Sequence, residues 1–392
     1  MNKLHPNIYF FNPTSEYSIA NGNENWLPNR LLRKMEADLS ILPMYFAQQN
    51  DYVIVEQLPS QDFLVKLNKV INKVPKFILK SNLARNEDFK TLPKHSLKPW
   101  GWSPAVHKFF KPFKDSCSGD FKISPIFEWK EVHKEITSRK FASEILEVLL
   151  QDNKHIFIPF HFLPRTCTTK KDFEKAFQDW GKAMIKAPWS SSGRGLQKIT
   201  KQPIHPKVWE KLMGIVREQG YAMAEPYLNK VLDLAQQFEI KNGKVKYLGT
   251  SYFLTDKKGQ YLGNFLRGLP GNTKKEIMDF TNESDKNLIN PLKKALEESK
   301  LTRFYEGPLG IDMLVYSDQE KKLKINPCLE INVRNTMGLL AIQLEKFISP
   351  DKKGMFQIFF QPGKTFFEFV SEMEKKHPLK LISNKIDSGF FA

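Results

Sequence analysis

Residues 310–316, Gly-Ile-Asp-Met-Leu-Val-Tyr, and residues 324–338, Lys-Ile-Asn-Pro-Cys-Leu-Glu-Ile-Asn-Val-Arg-Asn-Thr-Met-Gly, flank a polar turn. The pattern reads as two strands and a hairpin over 310–332, carrying Asp312, Glu330 and Asn332. Alternate side chains of a strand share a face. Glu330, Asn332 and Arg334 therefore point one way, and Leu329, Ile331 and Val333 the other. Gly310, Asp312 and Leu314 alternate likewise on the partner strand. Three hard oxygen donors would gather on one face of the ribbon. A magnesium ion that also holds nucleotide phosphates takes one or two carboxylates and leaves its other positions to water and phosphate. The plain alternative is a solvent-facing polar side. On a Lys-rich chain such a side would carry Lys or Ser rather than an acid, an amide and a guanidinium.

The chain has 392 residues, 60 Lys+Arg, 43 Asp+Glu and a net charge of +17. At about 100–200 residues per domain, two or three domains are expected. Apolar content is ordinary for a soluble globular protein, so a sizeable core can form. Cys117, Cys167 and Cys328 are far apart, and no CxxC or Cys/His cluster exists. That pattern supports neither a disulfide framework nor a zinc site. No N-terminal apolar run resembles a signal peptide, and no stretch of about 18 apolar residues could span a bilayer. A cytoplasmic protein with no membrane segment is expected. The Lys residues are spread along the chain, whereas a nucleic-acid footprint needs clustering on one face. Part of the charge would suit a pocket for an anionic substrate. Nothing in the chain fixes an oligomeric state.

Working outward, residues 7–11 read as a buried strand, 12–29 as a polar loop, 31–49 as a helix and 51–56 as the next strand. Residues 71–80 alternate more weakly, and 81–130 carry no clear pattern. This order suggests an α/β domain over 1–135. Helices are expected over 141–150, capped by Thr137 or Ser138, over 168–180, 206–219 and 285–299, and finally over 336–347. Strands are expected over 156–160, 183–187, 221–226, 232–240, 244–254 and 261–266, with a turn at 255–259.

The run Met184-Ile-Lys-Ala-Pro-Trp-Ser-Ser-Ser-Gly-Arg-Gly195 places Lys186 on a strand directly before a loop of small residues. Backbone N–H groups of such a loop can turn inward around anionic oxygens. Ser190, Ser191 and Ser192 add hydroxyl donors, Gly193 and Gly195 permit close approach, and Lys186 supplies a point charge. Neither GxxxxGK[ST] nor GxGxxG is present. Met223-Ala-Glu225-Pro-Tyr227-Leu228, followed by Asp233, could border an adenine: backbone at Tyr227 and Leu228, Glu225 for the amino group, Asp233 for the ribose.

In motif order and spacing, residues 137–340 resemble the ATP-grasp superfamily. The resemblance implies an N-terminal α/β domain followed by a module of two α+β subdomains that clamp ATP, here 136–226 and 227–392. It implies ATP and Mg²⁺ as cofactors. Arg139 (or Lys140) and Lys186 look like the phosphate-binding cations, and Ser190 to Gly195 like the flexible phosphate loop. Glu225, Tyr227 and Leu228 look like the adenine hinge, with Asp233 as ribose ligand where Glu is more usual. Asp312, Glu330 and Asn332 look like the metal ligands, and Arg334 like a phosphate or substrate contact.

The family's usual chemistry is ligation through an acylphosphate. Such phosphoryl transfer needs positioning and charge more than covalent chemistry from the protein. No convincing catalytic triad appears among the eight His. The partners implied are a small-molecule or peptide carboxylate and an amine or thiol acceptor. Arg267, at the end of a strand, suits a substrate carboxylate. Asn12, Glu16, Tyr17 and Asn21 lie on the first loop of the α/β domain, where ligand groups gather. Two other readings stand beside ligation: a kinase of the same fold acting on a hydroxyl, and a basic nucleic-acid-binding protein with stacking aromatics.

Overall fold

The computed structural model describes residues 5–71, 74–151, 154–190, 195–256, 259–359 and 365–392. Its first sheet joins β1 (Asn7–Phe10), β2 (Tyr52–Val55), β3 (Lys76–Leu79) and β4 (Ser96–Pro99). The pairings are parallel, in the order β3-β2-β1-β4. Parallel strands are covered on both faces, which explains their short apolar runs; Ile8, Val53 and Ile54 are fully buried. The chain builds from β1 to β3 on one side, then places β4 on the other side of β1. That reversal opens a crevice at the carboxyl ends of β1 and β4. Asn12 staples the two following loops: its Nδ2 donates to the Gly101 carbonyl at 2.6 Å, and its Oδ1 accepts from the Gly101 N–H at 3.2 Å.

Several expectations for this region change. The 12–29 loop contains a helix, Ser15–Asn21. The 31–49 helix is Arg30–Asp38 followed by a 3-10 turn, Leu42–Tyr45, because Pro43 has no N–H to continue the ladder. The unassigned 81–130 segment supplies β4, which tolerates Pro99 because it is an edge strand.

The second sheet is antiparallel: β5 (Arg165–Cys167), β6 (Ala183–Lys186), β7 (Leu196–Ile199) and β8 (Ala222–Pro226), in the order β5-β8-β6-β7. Helices Lys170–Trp180 and Pro206–Gln219 pack Phe173, Ala176 and Leu212 against Ile185, Ile199 and Ala224. Thr169 and Asp172 form a capping box, and Gly181 at φ +68 ends the first of these helices. The opposite face of the sheet carries Met184, Lys186, Met223 and Glu225.

The third sheet has the order β13-β12-β9-β10-β11-β14. Its strands are β9 (Asn229–Lys241), β10 (Lys244–Thr255), β11 (Tyr261–Leu266), β12 (Gly307–Ser317), β13 (Leu323–Asn332) and β14 (Gly354–Gln357). Asn242 and Gly243, both at positive φ, make the β9–β10 turn. Leu234, Phe238, Leu309, Ile311, Met313, Val315 and Ile325 face helices Arg139–Leu150 and Lys275–Glu298 in the largest core.

Residues 156–160 form no strand. Ile158 N–H donates to Ile325 at 3.0 Å and Ile325 N–H to Ile156 at 2.8 Å, and the chain then turns at Pro159. Helix Lys275–Glu298 starts ten residues earlier than expected, because it buries polar Thr281 and Ser284 and so breaks the apolar pattern. The 336–347 helix is Met337–Leu344, capped by Thr336, plus one 3-10 turn. It is not the last element: helix Phe366–Lys376, β15 (Lys380–Ile382) and β16 (Lys385–Ser388) follow β14. Residues 257 and 258 of the expected turn lie outside the described residues. No helix among the described residues is long and apolar enough to cross a membrane.

Candidate functional site

The ribbon is made by β12 and β13. Its register sets Asp312 directly opposite Glu330, and Gly310 opposite Asn332. Residues opposite one another share a face, so the two carboxylates and the amide do gather. On β9, Ala235 is opposite Asp312, which puts Asp233 on the same face. Burial, and next the Glu330 charge, push the Asp312 carboxyl up to about 7, against Arg334 and a hydrogen bond with Asn332. Among the described residues no three His, Cys, Asp or Glu side chains cluster; the third donor of this trio is an amide.

Helix Arg139–Leu150 brings a guanidinium to the ribbon. Its N-cap Ser138 accepts from the Phe141 N–H at 3.2 Å. Arg139 is buried, and its Nη2 donates to Glu330 Oε1 at 2.8 Å and Oε2 at 2.9 Å. Its Nη1 donates to the Ala187 carbonyl at 2.5 Å and to Ser190 Oγ at 2.9 Å. The Arg139 N–H donates to the Pro188 carbonyl at 3.1 Å. Lys140, the alternative cation, is exposed to solvent.

Lys186 ends β6 and pairs with Glu225 of β8 at 2.7 Å, both side chains only 8% exposed. Beyond β6 the ladder continues, with the Ala187 N–H donating to Gly195 at 3.1 Å. Gly195 has φ +82, and a Cβ there would lie 3.0 Å from the Ser190 side chain. The base of the loop is thus pinched shut; Ser191, Ser192 and Gly193 lie outside the described residues.

The Tyr227 N–H donates to the Lys182 carbonyl at 3.0 Å, and Lys198 Nζ sits 3.5 Å from the Tyr227 ring centre. Leu228 is half-buried against the large core. Asp233 accepts from Lys230 Nζ at 2.7 Å and from Thr255 Oγ1 at 2.8 Å.

A small, partly open recess lies between the ribbon and the first sheet. Its walls include Glu16, Trp102, Trp189, Ser190, Glu330 and Arg334. Glu16 accepts from Arg334 Nε. Arg334 also donates from Nη2 to Asn332 Oδ1 at 2.9 Å and from Nη1 to the Asn335 carbonyl at 3.0 Å. The sequence reading missed Trp102 and Trp189. The available signal was Gly101 between two tryptophans: a Cβ there would collide with Ser15 Oγ.

Arg267 is not gathered with these groups. Its Nη2 donates to the carbonyls of Glu345 at 2.9 Å and Ile348 at 3.1 Å, and its Nη1 to that of Pro350 at 3.3 Å. It closes the end of the 3-10 turn Glu345–Phe347 and corrects the expectation of a substrate cation.

No protein-family profile matches the chain. No curated protein matches it in sequence. Solved structures it is similar to include N5-carboxyaminoimidazole synthetase from Staphylococcus aureus complexed with ADP, at 13% identity, TM-score 0.49, covering 100% of this chain and 93% of that one. Another is a biotin carboxylase–β,γ-ATP complex from Campylobacter jejuni, at 14% identity, TM-score 0.48, covering 88% of this chain and 72% of that one. A third is D-alanyl-alanine synthetase A from Vibrio cholerae, at 14% identity, TM-score 0.38, covering 72% and 75%.

Proposed function

We propose that the chain is an ATP- and Mg²⁺-dependent ligase of the ATP-grasp type, joining a carboxylate to an amine or thiol through an acylphosphate. One observation carries the reading. A single guanidinium, Arg139, touches both the acidic ribbon at Glu330 and the base of the Ser/Gly loop at Ser190. This contact supports a reading in which the acidic ribbon and the base of the loop act on one ligand, with the Lys186–Glu225 pair on the neighbouring sheet.

In this reading Lys186 and Arg139 hold phosphate oxygens, and Ser190 with Gly195 frames the loop over them. Glu225, Tyr227 and Leu228 border the adenine, and Asp233 reaches the ribose. Asp312, Glu330 and Asn332 would hold magnesium; their oxygens fit a hard cation. When bound, the ion neutralises charge on the transferring phosphoryl group. Arg334 orients the substrate carboxylate. A carboxylate oxygen attacks the γ-phosphorus and the bond to ADP breaks. The amine or thiol then attacks the acyl carbon, phosphate leaves with the C–O bond, and the nucleophile gives up its proton. The side chains contribute position and charge.

A melting scan tests this. Nucleotide at a hundredfold excess over Kd stabilises by about 2.7 kcal/mol. Mg-ATP should raise the midpoint of the parent protein, and Lys186→Ala and Glu330→Ala should each abolish the rise. No shift at millimolar Mg-ATP would defeat the proposal. Product analysis then separates an amide or thioester from the phosphorylated alcohol a kinase would make.

A further inference from the structure

Charged groups of the candidate site are paired with one another. Lys186 meets Glu225 at 2.7 Å, and Lys230 meets Asp233 at 2.7 Å. Arg139 Nη2 meets both Glu330 oxygens, at 2.8 and 2.9 Å. The last pair differs from the others. It joins a proposed phosphate cation to a proposed magnesium ligand, 191 residues apart in the chain. The Arg139 side chain is 7% exposed and that of Glu330 25%. The same guanidinium is held by the Ala187 carbonyl and by Ser190 Oγ. Its Nε is buried without a partner among the described residues.

A buried charge that loses its partner is costly, whereas one that exchanges partners stays compensated. A divalent cation arriving alone at Glu330 would put two positive charges beside the Arg139 guanidinium and take its carboxylate away. Phosphates arriving alone at Arg139 would sit against the Glu330 carboxylate, like charge beside like. When both arrive, Glu330 turns to the metal and Arg139 to the phosphates, and neither side chain is stranded. The unpartnered Nε gives the guanidinium a donor in reserve for the incoming anion. The Lys186–Glu225 pair imposes no such condition, because neither member is a proposed metal ligand.

We infer that Arg139 makes the site take metal and nucleotide phosphate as a unit: in the ligand-free chain its guanidinium stands in for the cation at Glu330, bars a bare divalent ion, and is released by phosphate. This deepens the ligase reading and rests on it for the identity of the phosphate; that Arg139 bars a cation from Glu330 rests on the observed pair alone.

The probe is Mn²⁺, whose free form is counted directly by electron paramagnetic resonance. The full chain is titrated with Mn²⁺ alone, in the absence of nucleotide. The parent should bind weakly, and Arg139→Met should bind at least about tenfold more tightly. Adding Glu330→Gln to Arg139→Met should remove that gain. Lys140→Met should match the parent. Arg139→Lys keeps the charge but not the planar fork, so it should fall between the parent and Arg139→Met; it takes over the comparison if the methionine variant does not fold. A folded Arg139 variant that binds Mn²⁺ no more tightly than the parent, or a gain that survives Glu330→Gln, would overturn the inference. A melting scan of the parent with Mg-ATP runs alongside. A Mn²⁺ gain without any Mg-ATP shift would overturn the ligase reading and leave the role of the pair intact. A Mg-ATP shift without a Mn²⁺ gain would overturn only the inference drawn from the pair.

Discussion

Replacing Arg139 by Met removes the one group that joins the ribbon to the loop base while keeping much of its aliphatic bulk. Its Nη2 contacts with the Glu330 carboxylate amount to one charge-assisted interaction, about 1.5–3 kcal/mol. The two bonds from the same guanidinium to the uncharged oxygens of Ala187 and Ser190 add about 0.5–1.5 kcal/mol each once water competes for them. Glu330 is 25% exposed, so water recovers part of its loss. A net loss of about 3 kcal/mol is expected in nucleotide-free protein, read as a drop in the urea or thermal midpoint. Glu330→Gln in the same background should restore part of it, because the stranded carboxylate is then gone. The coupling between the two changes should be about 1–3 kcal/mol. Lys140→Met, one residue along on the exposed face, should stay within about 0.5 kcal/mol of the parent. An Arg139→Met protein as stable as the Lys140→Met control, or a double-mutant cycle that is simply additive, would refute the bridge.

Three further outcomes are expected. Burial, and next the Lys114 charge, lower His107 to about 3. The unfolded chain takes up this proton below about pH 6.5, so stability falls as pH drops from there, by about 1 kcal/mol at pH 5.5; His107→Gln should flatten that limb in urea titrations from pH 7 to 5. Asp312 has the opposite sign: its folded value of about 7 lies above its unfolded one, so its penalty grows as pH rises and is complete above 7. Asp312→Asn should raise the urea midpoint at pH 8 more than at pH 5, while abolishing the Mg-ATP shift. Arg267→Ala should cost about 2–3 kcal/mol by leaving helix-end carbonyls without a donor, and the folded variant should retain its Mg-ATP shift in a melting scan.

The ribbon was partly legible because a period of two survives any tertiary context: once 324–332 is a strand, Glu330 and Asn332 must share a face, while the β12–β13 register decides that Asp312 joins them. The strand of Lys186 and the helix 206–219 were legible for the same reason, periodicity bounded by Pro or Gly. The choice between Arg139 and Lys140 was not. Neighbours on a helix point about 100° apart, and only packing against β13 decides which one turns inward. Arg267 misled because a cation at a strand end looks the same whether it meets a ligand or a helix terminus arriving from 78 residues further on. Glu16 was singled out in the first loop, but its helix and its pairing with Arg334 were not legible, and Trp102 lay in a segment of short helices with no period to read. Thr281 and Ser284 hid the first turns of their helix because buried polar residues imitate solvent exposure.

The Asn12–Gly101 staple has a longer-term consequence. It ties together two loops that belong wholly to the parallel sheet, whereas the proposed phosphate and magnesium groups sit on the later sheets, on the loop between β6 and β7, or on the helix packed beside them. Insertions or substitutions in those loops can reshape what enters the cleft while the machinery behind it stays intact. Selectivity and reactivity are thus inherited on separate parts of the chain, and a lineage built this way can change its diet without relearning its chemistry.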